Sequence, residues 1–285
     1  MSSALVKGVA GVSAVGGVSA GGFFAYKNFQ SQNIRDVLVG KGLTVANVNS
    51  VGAWKVIAMG NKDNDAFFTF LGITKTSDRK VAGSKLQERC GSILNASVKD
   101  ENYSSLLSKA ESWCIQPTPK NLEEQLLMDE LETDLSDDDF KNVHKILAQD
   151  KAFTDAIEVT KGTESDGYKK AKKWCEVELK KSANSPKDAA KSRCTTPFKN
   201  LREALNSGGL SLISSAEDWS SRYSSIKGTD TSLSSDQITE SGGKDGGTSL
   251  SDWCSKEVDK KIHELTSNYT EHLDKVKKRC ATVKL

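Results

Sequence analysis

Acid–base, nucleophilic or metal chemistry in this 285-residue chain would have to draw on three histidines, six cysteines and scattered carboxylates and hydroxyls. His144, His263 and His272 lie in no HExxH pattern and at no zinc spacing, and no two cysteines form the CxxC pair that structural zinc sites use. The stretch NKDNDAFFTFLG begins like a calcium loop with Asn61, Asp63 and Asp65. However, Ala66 stands where the sharp turn needs glycine, and Gly72 where the ion needs a bidentate glutamate. Neither a Walker lysine pattern nor a GxSxG elbow occurs. Without a nucleophile, base and orienting acid that can be named together, the expectation is a non-enzyme with no catalytic residues, no cofactor and no metal. A hydrolase would need His144 joined to serine or acidic groups from a distant segment.

The cysteines point to a different chemistry. Each closes a five-residue phrase that starts with an apolar residue: LQERC, AESWC, AKKWC, AKSRC, LSDWC and VKKRC. An apolar residue four before a cysteine shares its helical face, so each phrase predicts a helix with the thiol turned toward a core. Corresponding cysteines recur at a period of about 80 residues, and the aromatic landmarks Trp54, Phe140 and Trp219 keep the same period. Turn-like residues near the middle of each cysteine pair predict antiparallel helical hairpins, for instance at Asn184 to Pro186. Pairing within hairpins gives Cys90 with Cys114, Cys175 with Cys194, and Cys254 with Cys280. Closing a loop of about 20 residues removes on the order of 3 kcal/mol of denatured-state freedom, which suits units with so few apolar side chains. Buried free thiols and a metal site are the alternatives. One Trp and one Arg precede the two cysteines of each pair: Arg89 and Trp113, Trp174 and Arg193, Trp253 and Arg279. Closed hairpins would bring indole and guanidinium within cation–π range, worth about 0.5 to 1 kcal/mol at an exposed site. Core tryptophan with solvated arginine is the other reading.

These features predict a mainly α chain in which an N-terminal hydrophobic segment precedes three tandem helical repeats, each with one cysteine pair in a helical hairpin. The expected divisions are a membrane anchor or signal segment at 1–30 and repeats at 44–131, 132–209 and 210–285. In the third repeat, the Ser/Gly-rich stretch near 227–249 has almost no apolar content and predicts a flexible loop. The phrase PKNLEEQL at 119–126 nearly recurs as PFKNLREAL at 197–205, each after a Thr-Pro start signal. It is expected to be a connector helix leaving the first two repeats, with no copy where the chain stops. The acidic run DELETDLSDDD at 129–139 is expected to be a solvated link.

Forty basic and 38 acidic side chains leave a net charge of +2, which gives no field for nucleic acid, so no nucleic-acid partner is expected. No charged residue occurs from Gly8 to Tyr26, a run just long enough to span a bilayer, with Gly17 and Gly21 at the spacing that lets membrane helices approach closely. Its glycine content weakens insertion, so a cleaved signal and a soluble glycine-rich arm remain open beside an uncleaved anchor.

A short Gly, Ala and Val-rich start, a Lys- and Ser-rich chain and recurring WC and RC phrases together resemble the paralogous families of N-terminally anchored proteins encoded by haemotropic mycoplasmas. The resemblance implies a membrane anchor through residues 8–26, a cell-membrane location with the bulk of the chain extracellular, and exposure to the host. It carries over no catalytic residues. The resulting expectation is an exported, membrane-anchored surface protein, a host-contact or antigenic binding module whose host or surface protein partner is unknown. The alternative is a cytosolic helical scaffold or interaction protein with reduced cysteines.

Overall fold

The computed structural model describes residues 31–159, 166–240 and 243–283; the hydrophobic run at 8–26 and the segment assigned to 1–30 lie outside them. The described chain is mainly helical, with fourteen α-helices and one two-stranded sheet. In order these are α1 (Ile34–Gly40), α2 (Val51–Gly60), α3 (Asp65–Leu71), α4 (Arg79–Leu94) and α5 (Tyr103–Trp113). Next come α6 (Leu122–Met128), α7 (Asp137–Leu147), α8 (Lys151–Ala156), α9 (Gly167–Glu178) and α10 (Asp188–Arg193). The last are α11 (Leu201–Ser207), β1 (Leu210–Leu212), α12 (Ala216–Ile226), α13 (Gly246–Val258), α14 (Tyr269–Cys280) and β2 (Ala281–Val283). No helix among the described residues is long and apolar enough to cross a membrane.

Three short helices begin on one chemical arrangement. Asn33, Asn121 and Asn200 each accept a hydrogen bond from the backbone N–H three residues on, while Asp36, Glu124 and Glu203 accept from the backbone N–H of Gln32, Lys120 and Lys199. The side chains thus satisfy donors that a helix start leaves orphaned. The same asparagines form isolated bridges to Ser97, Ser182 and Lys261, just past the helices that carry the first cysteine of each pair.

This arrangement refines the connector expected at PKNLEEQL and PFKNLREAL, and the first of the two helices, α6, does pack on α2 of the preceding cluster. Leu122 and Leu126 are buried with Cys175 and Cys194, and Leu201 and Leu205 with Cys254 and Cys280. Each phrase therefore opens the packing that follows it, and a third copy stands at the start as QNIRDVL, residues 32–38. The boundaries at 43/44, 131/132 and 209/210 fall inside these clusters, whose opening helices come before them. The N-caps are the asparagines, with Thr118-Pro119 and Thr196-Pro197 lying ahead of the helices.

Three hydrophobic clusters follow, one around each cysteine pair. Trp54, Phe140 and Trp219 are buried in α2, α7 and α12, and all six apolar residues four before a cysteine are at most 1% exposed. The backbone after the second cysteine folds back onto the stretch behind the opening helix in each cluster. Val45 bridges Ile115, Thr196 donates to the Glu132 carbonyl at 3.0 Å, and β1 pairs antiparallel with β2 in the register Leu210–Val283 to Leu212–Ala281. Helix α7 starts on a capping box made by Ser136 and Asp139, and α12 is capped by Ser215.

The acidic run departs from the solvated link expected of it, because it clamps two clusters together. Glu132 pairs with the buried Lys55 of α2, Glu130 accepts from Ser50 Oγ at 2.6 Å, and Thr133 lies beside the Arg79–Glu123 ion pair, whose length is 2.7 Å. Residues 227–240, a described part of the expected flexible loop ahead of α13, also depart from expectation. Between their turns Leu233 and Ile238 are buried in the third cluster, so this polar segment is packed against the helices.

Close backbone approach fixes the first joint. A Cβ on Gly52 would stand 1.8 Å from the Leu127 carbonyl oxygen, whereas one on Gly60, at the far end of the same helix, would meet nothing within 4 Å. Gly52→Ala is therefore expected to lower stability by about 2 kcal/mol or more, with Gly60→Ala near neutral. Urea unfolding of the two variants side by side checks this, and equal midpoints would contradict the close packing of α2 on α6.

Candidate functional site

All six cysteines are consumed in three disulfides, Cys90–Cys114, Cys175–Cys194 and Cys254–Cys280, each with a Cα separation of 5.6 Å. The geometry follows from the hairpins: α4 with α5, α9 with α10, and α13 with α14 run back past each other, setting the two thiols level beneath buried apolar neighbours. No cluster of metal-ligating side chains occurs among the described residues, and the calcium-like stretch serves otherwise, with Asn64 capping α3 and Asp65 paired to Lys75 at 3.0 Å.

The Trp and Arg residues flanking the cysteines are placed differently in each cluster. In the second, the Arg193 guanidinium lies 5.2 Å from the Trp174 ring centre and 5.6 Å from that of Phe153, so one cation covers two aromatic rings. In the third, Arg279 lies 4.6 Å from the Trp253 ring centre and is fully buried. Its fork engages both Asp230 oxygens at 2.7 and 3.0 Å, Asp236 at 2.6 Å and Ser232 Oγ at 2.7 Å. Every partner comes from the polar stretch 227–249, so Arg279 is the latch that holds it down. Its bond to Arg279 holds the Asp230 carboxyl well below the usual range, against the opposing effect of burial. Burial pushes Asp236 up, but Arg279 and Lys275 outweigh it and leave that carboxyl lowered as well.

In the first cluster the order of the two residues is reversed, and no cation–π contact joins Arg89 to Trp113 among the described residues. Trp113 instead stacks on Phe70 of α3, with centroids 4.8 Å apart and planes 27° from parallel, and meets Phe67 edge-on at 5.8 Å. Trp113 thus contacts Phe67, the ring at the position that Phe153 holds beside Arg193, and Arg89 stands on α4 where Trp174 stands on α9. The result is an open groove of about 700 Å3 lined by Phe70, Ile93, Leu106 and Trp113, with Arg89 and Lys109 bordering it. Lys109 Nζ lies 6.0 Å from the Phe70 ring centre. Its volume falls in the range of ligand-binding clefts.

His263 and His272, whose spacing matches no metal motif, are largely buried. Asn142 of α7 accepts from the His263 backbone N–H at 2.9 Å and meets Nδ1 at 2.7 Å, which ties the second cluster to the third. His272 lies between Ser267 Oγ at 3.0 Å and Glu257 Oε2 at 2.9 Å. Burial depresses its pKa and outweighs the pull of Glu257 in the other direction. Serine, histidine and glutamate thus stand in line, a grouping that no spacing in the sequence indicates. The neighbouring cavity is lined by Glu257 and Trp253 but by neither Ser267 nor His272. His144 packs against Gly167 of α9 and lies tilted on Phe153, with ring centroids 6.4 Å apart.

In comparisons with known proteins, no family model, no curated protein and no solved structure matches the chain.

The latch has a pH signature. Asp230 is depressed in the folded chain, so the stability it contributes is complete above its unfolded pKa of about 3.9 and fades as pH falls below that. Arg279→Met leaves two carboxylates without their buried cation and is expected to cost about 3 to 5 kcal/mol at neutral pH. The gap to the parent chain should narrow toward about pH 2, as both carboxyls protonate in the unfolded chains and in the folded variant. Urea titrations of the two proteins across that range measure it, and a gap independent of pH would remove Asp230 and Asp236 from the account.

Proposed function

We propose that the chain is an exported, membrane-anchored surface protein made of three tandem helical repeats of about 80 residues, which acts as a host-contact or antigenic binding module and not as an enzyme. The observation that carries this reading is the complete pairing of six buried cysteines within three separate hairpins. Such disulfides persist in oxidising compartments and are rare where thiol reductants are abundant. The uncharged run from Gly8 to Tyr26 supplies a means of export and anchorage.

The repeat reading is supported by correspondence between the clusters. Each has an Asn-capped opening helix, a helix bearing a buried aromatic residue, a first-cysteine helix bridged to the opening asparagine, and a second cysteine followed by return pairing. In this reading the units open at Asn33, Asn121 and Asn200, and neighbours stack through Lys55–Glu132 and Asn142–His263. The resemblance to anchored proteins of haemotropic mycoplasmas adds host exposure to the proposal. Binding is assigned to the first unit, where an aromatic groove bordered by cations stands open.

Protease treatment of intact cells that express the chain is expected to remove the segment after Tyr26. Thiol labelling of the native protein without reductant should find no reactive cysteine. Protection of the chain from protease, or recovery of six free thiols, would replace the exported reading with a cytosolic scaffold.

A further inference from the structure

We propose that the groove between α3, α4 and α5 docks an acidic segment of a partner protein, with one aromatic or branched apolar side chain seated on Phe70 and Trp113 and flanking carboxylates held by Arg89 and Lys109. The proposal deepens the binding role given above and rests on it.

The floor is apolar: Phe70, Trp113, Ile93 and Leu106 line about 700 Å3 of open space. A groove of this volume is in the range that accepts one large side chain with its neighbours. The border is cationic. Neither Arg89 nor Lys109 makes an ion pair among the described residues, and the one acidic side chain lining the groove, Glu88, is held by Lys85 at 2.8 Å. Ser92 and Thr69 already donate their hydroxyls to the carbonyls of Glu88 and Asp65 within their own helices, so the free polar capacity of the site is positive charge. Two unpaired cations above an aromatic floor complement carboxylates flanking an apolar anchor.

The other clusters show why the first has this opening. In the second, Arg193 lies across both Trp174 and Phe153 and covers the rings. In the third, Arg279 spends its charge on Asp230 and Asp236 while covering Trp253. Exchanging Trp and Arg in the first cluster leaves the cation without an internal partner and places the indole on the groove wall. The open form of the groove favours a side chain presented by a larger partner over a small ligand that needs enclosure.

The test uses the oxidised full-length chain and a fluorescein-labelled peptide, Glu-Asp-Phe-Asp-Glu, read by fluorescence anisotropy. Binding with a Kd below about 1 mM is expected, as is loss by at least about ten-fold when the peptide phenylalanine becomes alanine or when the protein carries R89E and K109E together. Both substituted side chains border open solvent, and intact mass with far-UV circular dichroism confirms that the variant keeps its disulfides and helices. Three outcomes would overturn the proposal: no binding of the acidic peptide, equal binding of Lys-Lys-Phe-Lys-Lys, or unchanged affinity in the double variant. Saturable binding of dodecanoate at these residues without peptide binding would overturn it too, by making the occupant a small amphiphile. The measurement is made on purified protein and does not depend on cellular location. Its failure therefore leaves the anchored reading standing, and failure of the protease experiment leaves the groove assignment standing.

Discussion

A disulfide buried across a helical hairpin is the constraint on which each of the three clusters depends. With only 36% of the chain hydrophobic, each cluster has a small apolar interior, and the covalent link holds two helices in register where packing alone has little area to do so. The residue four before each cysteine is sealed beneath the link, and the return of the chain after the second cysteine places its backbone against the stretch following the opening helix. Capping, hairpin, bridge and return strand thus converge on the same pair of sulfurs. The parts that differ among the clusters, the turns at 227–240 and the groove between α3, α4 and α5, are built onto that frame through Arg279 and Trp113.

The clusters meet through charge and close backbone approach as well as through apolar residues such as Met128 and Ile146. The Lys55–Glu132 pair, the Arg79–Glu123 pair and the Asn142–His263 bonds all cross from one cluster to the next. The tight approach of Gly52 to Leu127 adds a steric term that no side chain could supply. Polar, geometrically demanding contacts of this kind set relative orientation even when they contribute little net free energy. Lys55 is 6% exposed, so its pairing is obligatory once the joint closes.

What the sequence made legible was what is local. A cysteine and an apolar residue four apart define a helical face whatever lies elsewhere, which is why the hairpins and the pairing of all six cysteines could be read from spacing. The capping box at Ser136 is local in the same way. The opening helix of the first cluster was hidden because QNIRDVL shares with both later copies only its Asn, an apolar neighbour, an acid and a Leu, matches the last copy alone in an arginine, Arg35 with Arg202, and lacks their lysine and proline. The acidic run and the stretch 227–240 were misjudged for another reason. Their partners lie far along the chain, 77 residues away for Glu132 and 49 for Asp230, and composition cannot say which charges will meet. In the groove, Arg89 and Trp113 were both visible as special positions. Their separation depends on Phe70, a contact between helices that no spacing encodes.

The loops closed by the disulfides also determine how the chain bears mechanical load. Sequence separations of 24, 19 and 26 residues are locked between the linked sulfurs and cannot lengthen under tension while the bonds hold. Pulled from its two ends, the polypeptide can yield only in the intervening stretches, through the opening helices and the aromatic-bearing helices behind them. The contour length released by each cluster is therefore capped covalently, and a reductant would raise that cap by 24, 19 and 26 residues in turn.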